Sequence, residues 1–540
     1  MKKFLFTVFL ILFGLSIVQA YWNSVYQFGI EIPKPDNDPF VTGKTTAFLW
    51  VPPSAKHINA VILAPANIIE RRFCDDSIIR AEATRDGIAI LFFQSGLAKG
   101  AVDNPRLISY MQDILDKLAN KSGYAELSTV PWIPIGHSGN SQFCQGIARL
   151  RPDKILANII FKGALPNPDK NGGTDGLVGI PIIFFTGEFE EVMPPGKVRD
   201  AWWGVQMQRF YTAKKSVPQA LITGMEDRSR GHISWTPDMS AYAALFIHKA
   251  MLARIDKAQS GKLANVAFGS GWLADPADSV ESAPVNQYKG NPQRAFWFFD
   301  EEQCRAWKPL FERDKGKKEQ ILAFMQADTI APWWKGWGVQ EIEFKPMSDG
   351  ASFKVKANFR DEVPQPFADA GKKLGHANNG TISYAVAGWA SNTEQTGPDV
   401  FRIRFDREGV NGRTLHVVIS ASHPGDKQYR ETVAAVHFFV PGNNTAGIKQ
   451  VLTFPKLENV KAGKKVIPLG ATLSSGLKPD YYVSWGPAEI VNSNEIQLTD
   501  IPANAKFPIE VKVTAYQYGS CSTPQYATSN FVTQTFFIEK

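Results

Sequence analysis

Between Thr45 and Ile255 the chain alternates two kinds of segment. Short, almost continuously apolar runs lie at Thr46–Val51, Ala60–Ala64, Ile88–Phe93, Trp132–Ile135, Leu156–Phe161, Ile180–Phe185 and Ala220–Thr223. Amphipathic stretches at helical spacing separate them, among them Ser77–Arg85, Pro105–Asn120 and Trp202–Thr212, and the alternation ends in a long helix over Met239–Ile255. Strands that are apolar on both faces are covered on both faces, so the pattern predicts a mostly parallel α/β sheet sandwiched between helices. That places a first domain at about residues 21–258.

The pattern then changes. Residues 259–335 read as a connector rich in Gly, Ser, Ala, Asp and Pro, with a helical patch around Asp300–Asp328. After Pro332, period-two runs separated by turn residues take over: Glu341–Lys345, Ser352–Ala357, Thr381–Ala387, Phe401–Phe405 and Thr414–Ser420. These predict a β-sandwich over 336–450. The remaining runs, from Lys464–Leu469 to Thr533–Ile538, predict an immunoglobulin-like sandwich over 451–540.

Candidate chemistry enters where the fourth apolar run stops, in Pro131-Trp-Ile-Pro-Ile-Gly136-His-Ser138-Gly-Asn140. A strand that breaks into small-x-Ser-small and then a helix carries the serine on a sharp, strained turn, with its hydroxyl proud of the sheet. The following helix, starting near Ser141, turns Phe143, Ile147 and Leu150 inward and aims its N-terminus at whatever the serine attacks. Ser138 is therefore the candidate nucleophile, and the backbone N–H of Gly139 a candidate oxyanion donor. The motif departs from Gly-x-Ser-x-Gly at its last position, which is Asn140.

Such a serine needs a base, and the base needs an acid to orient it. On a sheet of this kind the partners follow in the order acid, then histidine, each on a loop beyond a later strand. Downstream of Ser138 the first domain holds His232 and His248. His248 lies in mid-helix among packing residues, whereas His232 lies beyond the last apolar run in Asp227-Arg-Ser-Arg-Gly231-His232, so His232 is the candidate base. The acid comes from Thr186-Gly187-Glu188-Phe189-Glu190-Glu191. Glu190 is preferred, with Glu188 and then Glu191 as alternatives; Glu226 and Asp227 read as surface ion pairs on the histidine's own loop. The loop Pro65-Ala66-Asn67-Ile68 offers the N–H of Asn67 or Ile68 as a second oxyanion donor. Trp202, Trp203 and Trp235 are candidates to line a substrate pocket, while Trp333, Trp334 and Trp337 read as interdomain packing.

With Gly136-His-Ser138-Gly, the acidic loop around Glu190 and Gly231-His232 in that order, residues 40–255 resemble the α/β-hydrolase superfamily. The resemblance is nearest to exported esterases related to dienelactone hydrolases and polyester depolymerases. It implies acyl-enzyme chemistry on an ester carbonyl. The two β regions resemble accessory modules of secreted carbohydrate-active enzymes, which points to acyl groups on a polysaccharide as substrate. Two further readings stay open: a peptidase of the prolyl-oligopeptidase type, without that family's propeller repeats, and a carbohydrate-binding protein with an inactive hydrolase domain.

Composition adds boundaries. Lys2 and Lys3, the apolar stretch Phe4–Ile17 and Val18-Gln-Ala20 read as a signal peptide over 1–20, hence a secreted or periplasmic protein that is not an integral membrane protein after cleavage. A net charge of +7 without a dense basic run gives no footing for nucleic acid. Nothing calls for a cofactor or a metal. The four cysteines permit two disulfides in an exported protein, with Cys74–Cys144 the expected pair.

Overall fold

The structure, a computed structural model, describes residues 23–98, 101–168, 174–190, 201–255, 261–277, 280–333, 339–365, 367–388, 392–408, 414–464 and 466–540. The predicted signal peptide, Glu191, Trp334 and Trp337 lie outside the described residues.

The first domain is built on an eight-stranded sheet. Its strands are β1 (Phe28–Ile32), β2 (Thr45–Trp50), β3 (Ala60–Pro65), β4 (Ile88–Gln94), β5 (Trp132–His137), β6 (Asn158–Phe161), β7 (Ile182–Phe189) and β8 (Ile222–Gly231). They lie in the order 1-2-4-3-5-6-7-8. β2 runs antiparallel to both neighbours, and every pairing from β4 through β8 is parallel. All six residues of each of β2, β3 and β5 are buried. Successive side chains point to opposite faces, so both faces are covered, as the apolar runs predict.

Six helices do the covering: α1 (Glu70–Asp75), α2 (Ser77–Asp86), α3 (Arg106–Ser122), α4 (Ser141–Leu150), α5 (Ala201–Ser216) and α6 (Pro237–Arg254). In α3 the buried positions Leu107, Met111, Ile114, Leu115 and Leu118 recur at helical spacing. Asp76 caps α2 by accepting from the N–H groups of Ile78 and Ile79. β1 and α1 were not among the predicted elements. The glycine in Phe-Gly-Ile-Glu-Ile weakens the strand pattern, and α1 is too short to show a period.

The connector is more structured than its composition suggests. Trp272–Ala274, Ala283–Pro284 and Phe296–Phe298 form a small antiparallel sheet. Phe296 lies edge-on to Phe184 and Phe210, so this segment adds to the core of the first domain. The helical patch ends at Phe311, and Leu322–Gln326 is already a strand.

Beyond it stand two β-rich regions. In the first, a four-stranded sheet (Gln340–Glu341, Thr432–Pro441, Thr414–His423, Ser383–Val386) and a three-stranded sheet (Ser352–Lys354, Val400–Ile403, Thr393–Gln395) share one core, including Phe353, Phe401, Val417 and Phe438. In the last, Val460–Lys461, Val532–Glu539, Ile509–Tyr516 and Asp480–Trp485 form a four-stranded sheet beside a second three-stranded one. This last region docks on the start of the first domain. Asn23 exchanges two hydrogen bonds with the backbone of Ile490, and Tyr26 bridges to Gly486. Gly29 lies so close beneath Trp485 that a Cβ there would meet the indole at 2.5 Å.

All four cysteines are free thiols, which corrects the expected Cys74–Cys144 disulfide. The buried Cys144 thiol instead faces the Ile159 carbonyl on β6 (3.7 Å).

Candidate active site

Ser138 follows β5 directly and has φ +54°, a left-handed backbone that a non-glycine residue adopts only under constraint. Its neighbours supply that constraint. A Cβ at Gly136 would stand 2.2 Å from the Asn140 carbonyl oxygen. One at Gly163, beyond β6, would stand 2.8 Å from the Ser138 backbone carbonyl oxygen and 2.7 Å from the Ser141 Cβ. The turn closes only because both positions lack a side chain.

Asn140, the departure from the five-residue motif, has work of its own. Its Nδ2 donates to the Pro65 carbonyl and to Glu70 Oε1, both at 2.9 Å. Glu70 Oε1 also accepts the His137 N–H (2.8 Å), so one buried carboxyl ties α1 to both sides of Ser138. Burial pushes the Glu70 carboxyl up to about 7, against those two hydrogen bonds. Glu70 sits in Ile-Ile-Glu-Arg-Arg-Phe, where an acid beside two arginines reads as an ordinary charged stretch with no signature of this role.

Glu190, immediately after β7, and His232, immediately after β8, are joined by a hydrogen bond between Glu190 Oε2 and His232 Nδ1. The other carboxylate oxygen accepts the Gly187 N–H at 2.8 Å. Burial drives both groups toward their neutral forms. Lys162 opposes this at Glu190 and reinforces it at His232, because its charge favours a carboxylate and disfavours an imidazolium.

His137 connects the pair to the serine turn. Its Nε2–H donates to the His232 carbonyl (2.8 Å), and the two imidazoles lie 4.5 Å apart between centroids. Burial and the neighbouring His232 hold the His137 imidazole well below its usual range. Ser138, Glu190 and His232 thus stand at the same end of three parallel strands, with His137 linking the serine turn to His232.

The histidine segment is anchored from below by Lys162, a fully buried residue at the end of β6. Its Nζ donates to the carbonyls of Gly231 (2.5 Å) and Ser234 (2.9 Å) and pairs with Asp227 (3.1 Å). Asp227 and Glu226 are buried rather than on the surface, which corrects the reading of both as surface ion pairs. The reason is that β8 continues to Gly231, so these acids lie within a strand instead of a loop.

The other candidates fall as follows. Gly139 is exposed and has open space on its Cβ side, while Asn67 Nδ2 donates to the His137 carbonyl (3.2 Å) and Ile68 is buried. Trp203 stacks on Phe184, and Trp202 lies beside it on α5. Trp235 is buried edge-on to Phe73 and Phe161, its indole N–H donating to Ser240 (2.9 Å). His248 pairs with Asp86 and Glu82 on α2, as its packing position implies. Glu188 belongs to β7 itself, where its Oε2 accepts the Ser229 N–H (2.8 Å).

The strand order and the strained serine between β5 and α4 are those of the α/β-hydrolase fold. No protein-family model and no curated protein matches the chain. Similar solved structures include a poly(3-hydroxybutyrate) depolymerase from Bordetella parapertussis (13% identity, 43% of this chain and 92% of that one, TM-score 0.31). Others are an S-formylglutathione hydrolase from Agrobacterium tumefaciens (12% identity, 42% and 95%, TM-score 0.31) and a siderophore hydrolase from Aspergillus nidulans (11% identity, 42% and 95%, TM-score 0.30). The fold assignment stands on the topology rather than on these matches. Among the described residues, no helix is long and apolar enough to cross a membrane.

Proposed function

We propose that the protein is a serine hydrolase of carboxylic esters, with Ser138 as nucleophile, His232 as general base and Glu190 as the acid that orients it. The observation that carries this reading is the positive-φ Ser138 at the end of β5, tied through its preceding residue His137 to His232, which is itself hydrogen-bonded to the buried Glu190. In this reaction Ser138 Oγ attacks the ester carbonyl while its proton passes to His232 Nε2, and Glu190 stabilises the imidazolium that forms. The oxyanion is met by the N–H of Gly139 and by one from the Asn67–Ile68 loop. His232 then returns the proton to the leaving alcohol, the acyl-enzyme remains, and water repeats the sequence to release the acid.

The two β-rich regions, read as sandwich modules with the last immunoglobulin-like, support an acylated polysaccharide as the natural substrate. The signal-like segment over 1–20 supports action outside the cytoplasm. Hydrolysis of p-nitrophenyl acetate by the wild type and by Ser138→Ala tests the chemistry. The expected loss in kcat is about 10⁴-fold, and equal turnover in the two proteins refutes it.

A further inference from the structure

The first β-rich region reaches three segments around the proposed site. At the histidine segment, Arg230 pairs with Glu431 at 2.8 Å. At the Asn67–Ile68 loop, Gly388 packs so closely that a Cβ there would meet Ile68 Cγ2 at 2.3 Å and Ile233 Cγ2 at 2.5 Å. Nearby on α1, Arg72 donates to the Val386 carbonyl at 3.1 Å.

A fourth contact bears on the acid. Arg430, which precedes the strand Thr432–Pro441, donates from Nη1 to Glu188 Oε1 at 2.6 Å. Glu188 is buried, and its other oxygen receives the N–H of Ser229. Ser229 has φ +61° and occupies a bulge where Gly187 pairs with Asp227 but Phe189 with Gly231. Between those pairs one residue of β7, Glu188, opposes three of β8, Arg228 to Arg230. The extra residues decide where His232 emerges relative to Glu190, two positions beyond Glu188. A guanidinium at hydrogen-bonding distance fixes the position of a buried carboxyl, and with it the oxygen that accepts the Ser229 N–H. Arg228, from the first domain, is farther from the same oxygen, at 3.7 Å.

We infer that the first β-rich region is part of the catalytic apparatus, and that Arg430 is a positioning residue which fixes the Glu190–His232 geometry through Glu188 and the Ser229 bulge. This rests on the esterase reading above. Removing the guanidinium leaves Glu188 free to swing toward Arg228. The bulge then relaxes, and the imidazole shifts relative to Ser138 while the open face of the site is unchanged.

The test is steady-state hydrolysis of p-nitrophenyl acetate by the full chain with Arg430→Met and Arg430→Lys, after the wild type has been shown to depend on Ser138. Arg430→Met is expected to lower kcat about 10- to 100-fold with KM within about twofold, and Arg430→Lys to recover most of the loss. A folded Arg430→Met with wild-type kcat overturns the inference, as does a loss that falls on KM or that lysine does not rescue. If Arg430→Met does not fold, Arg430→Gln, which keeps a donor but removes the charge, decides: about a threefold or larger fall in kcat at unchanged KM supports the role, and wild-type kinetics refutes it. An inactive wild type, or one indifferent to Ser138, sinks the esterase reading instead, so the two failures are told apart.

Discussion

Replacing Glu70 by Gln isolates the cost of burying a charge beneath the serine turn. The amide oxygen can still accept from the His137 N–H and from Asn140 Nδ2, so the turn keeps its ties. What changes is ionisation. The carboxyl rises from an ordinary 4.5 to about 7 on folding. The folded state therefore binds more protons than the unfolded chain across that interval, and stability falls as pH rises through it. Each pKa unit is worth about 1.4 kcal/mol, so the whole penalty is about 3 kcal/mol, of which ~2.5 kcal/mol develops between about pH 5 and pH 8. Glu70→Gln abolishes this term and leaves a pH-independent offset, because Glu70 Oε2 has no partner and the new NH₂ gains none. Calorimetric midpoints of the two proteins should diverge in the variant's favour between these pH values, by roughly 5–10 °C for a domain of this size. All other titrating groups cancel in the comparison. A constant difference between variant and wild type over that range refutes the argument.

Lys162→Met removes the cation from a buried pair and two anchors of the histidine segment. The expected loss of stability is about 3–5 kcal/mol, accompanied by a fall in kcat; thermal scans and ester kinetics measure both, and adding Asp227→Leu should restore much of the stability by removing the stranded carboxylate. Titration with a thiol reagent in denaturant, without reductant, should find all four cysteines, and in the native state Cys521 alone should react fast because the other three are buried.

Much of the first domain is legible in the sequence because its strands are short apolar runs between amphipathic helices, a pattern set by burial alone. The turn at Ser138 is legible for a related reason: tight closure demands glycine at 136 and forces a local signature. Glu190 and His232 emerge from chain order, since strands of a parallel sheet deliver their C-terminal loops to one edge in a fixed sequence. What stays hidden is whatever depends on pairing across distance. The burial of Asp227 depends on Lys162, 65 positions earlier, and the role of Glu70 depends on Asn140. The end of β8 is hidden as well, because a strand that continues through Glu-Asp-Arg-Ser-Arg reads as a polar loop until its neighbours are known. The disulfide expectation failed because an even count of cysteines says nothing about where thiols point.

The contacts of Asn23, Tyr26 and Gly29 with Trp485, Gly486 and Ile490 make the outermost strand of the eight-stranded sheet depend on residues made more than 450 positions later. On the ribosome, the first domain has its inner strands long before that partner emerges. β1 must therefore wait with one flank unsealed through most of elongation, exposed to whatever other extended chain is near. A nascent chain halted short of Trp485 is left with the interior of its first domain complete and its outer margin raw.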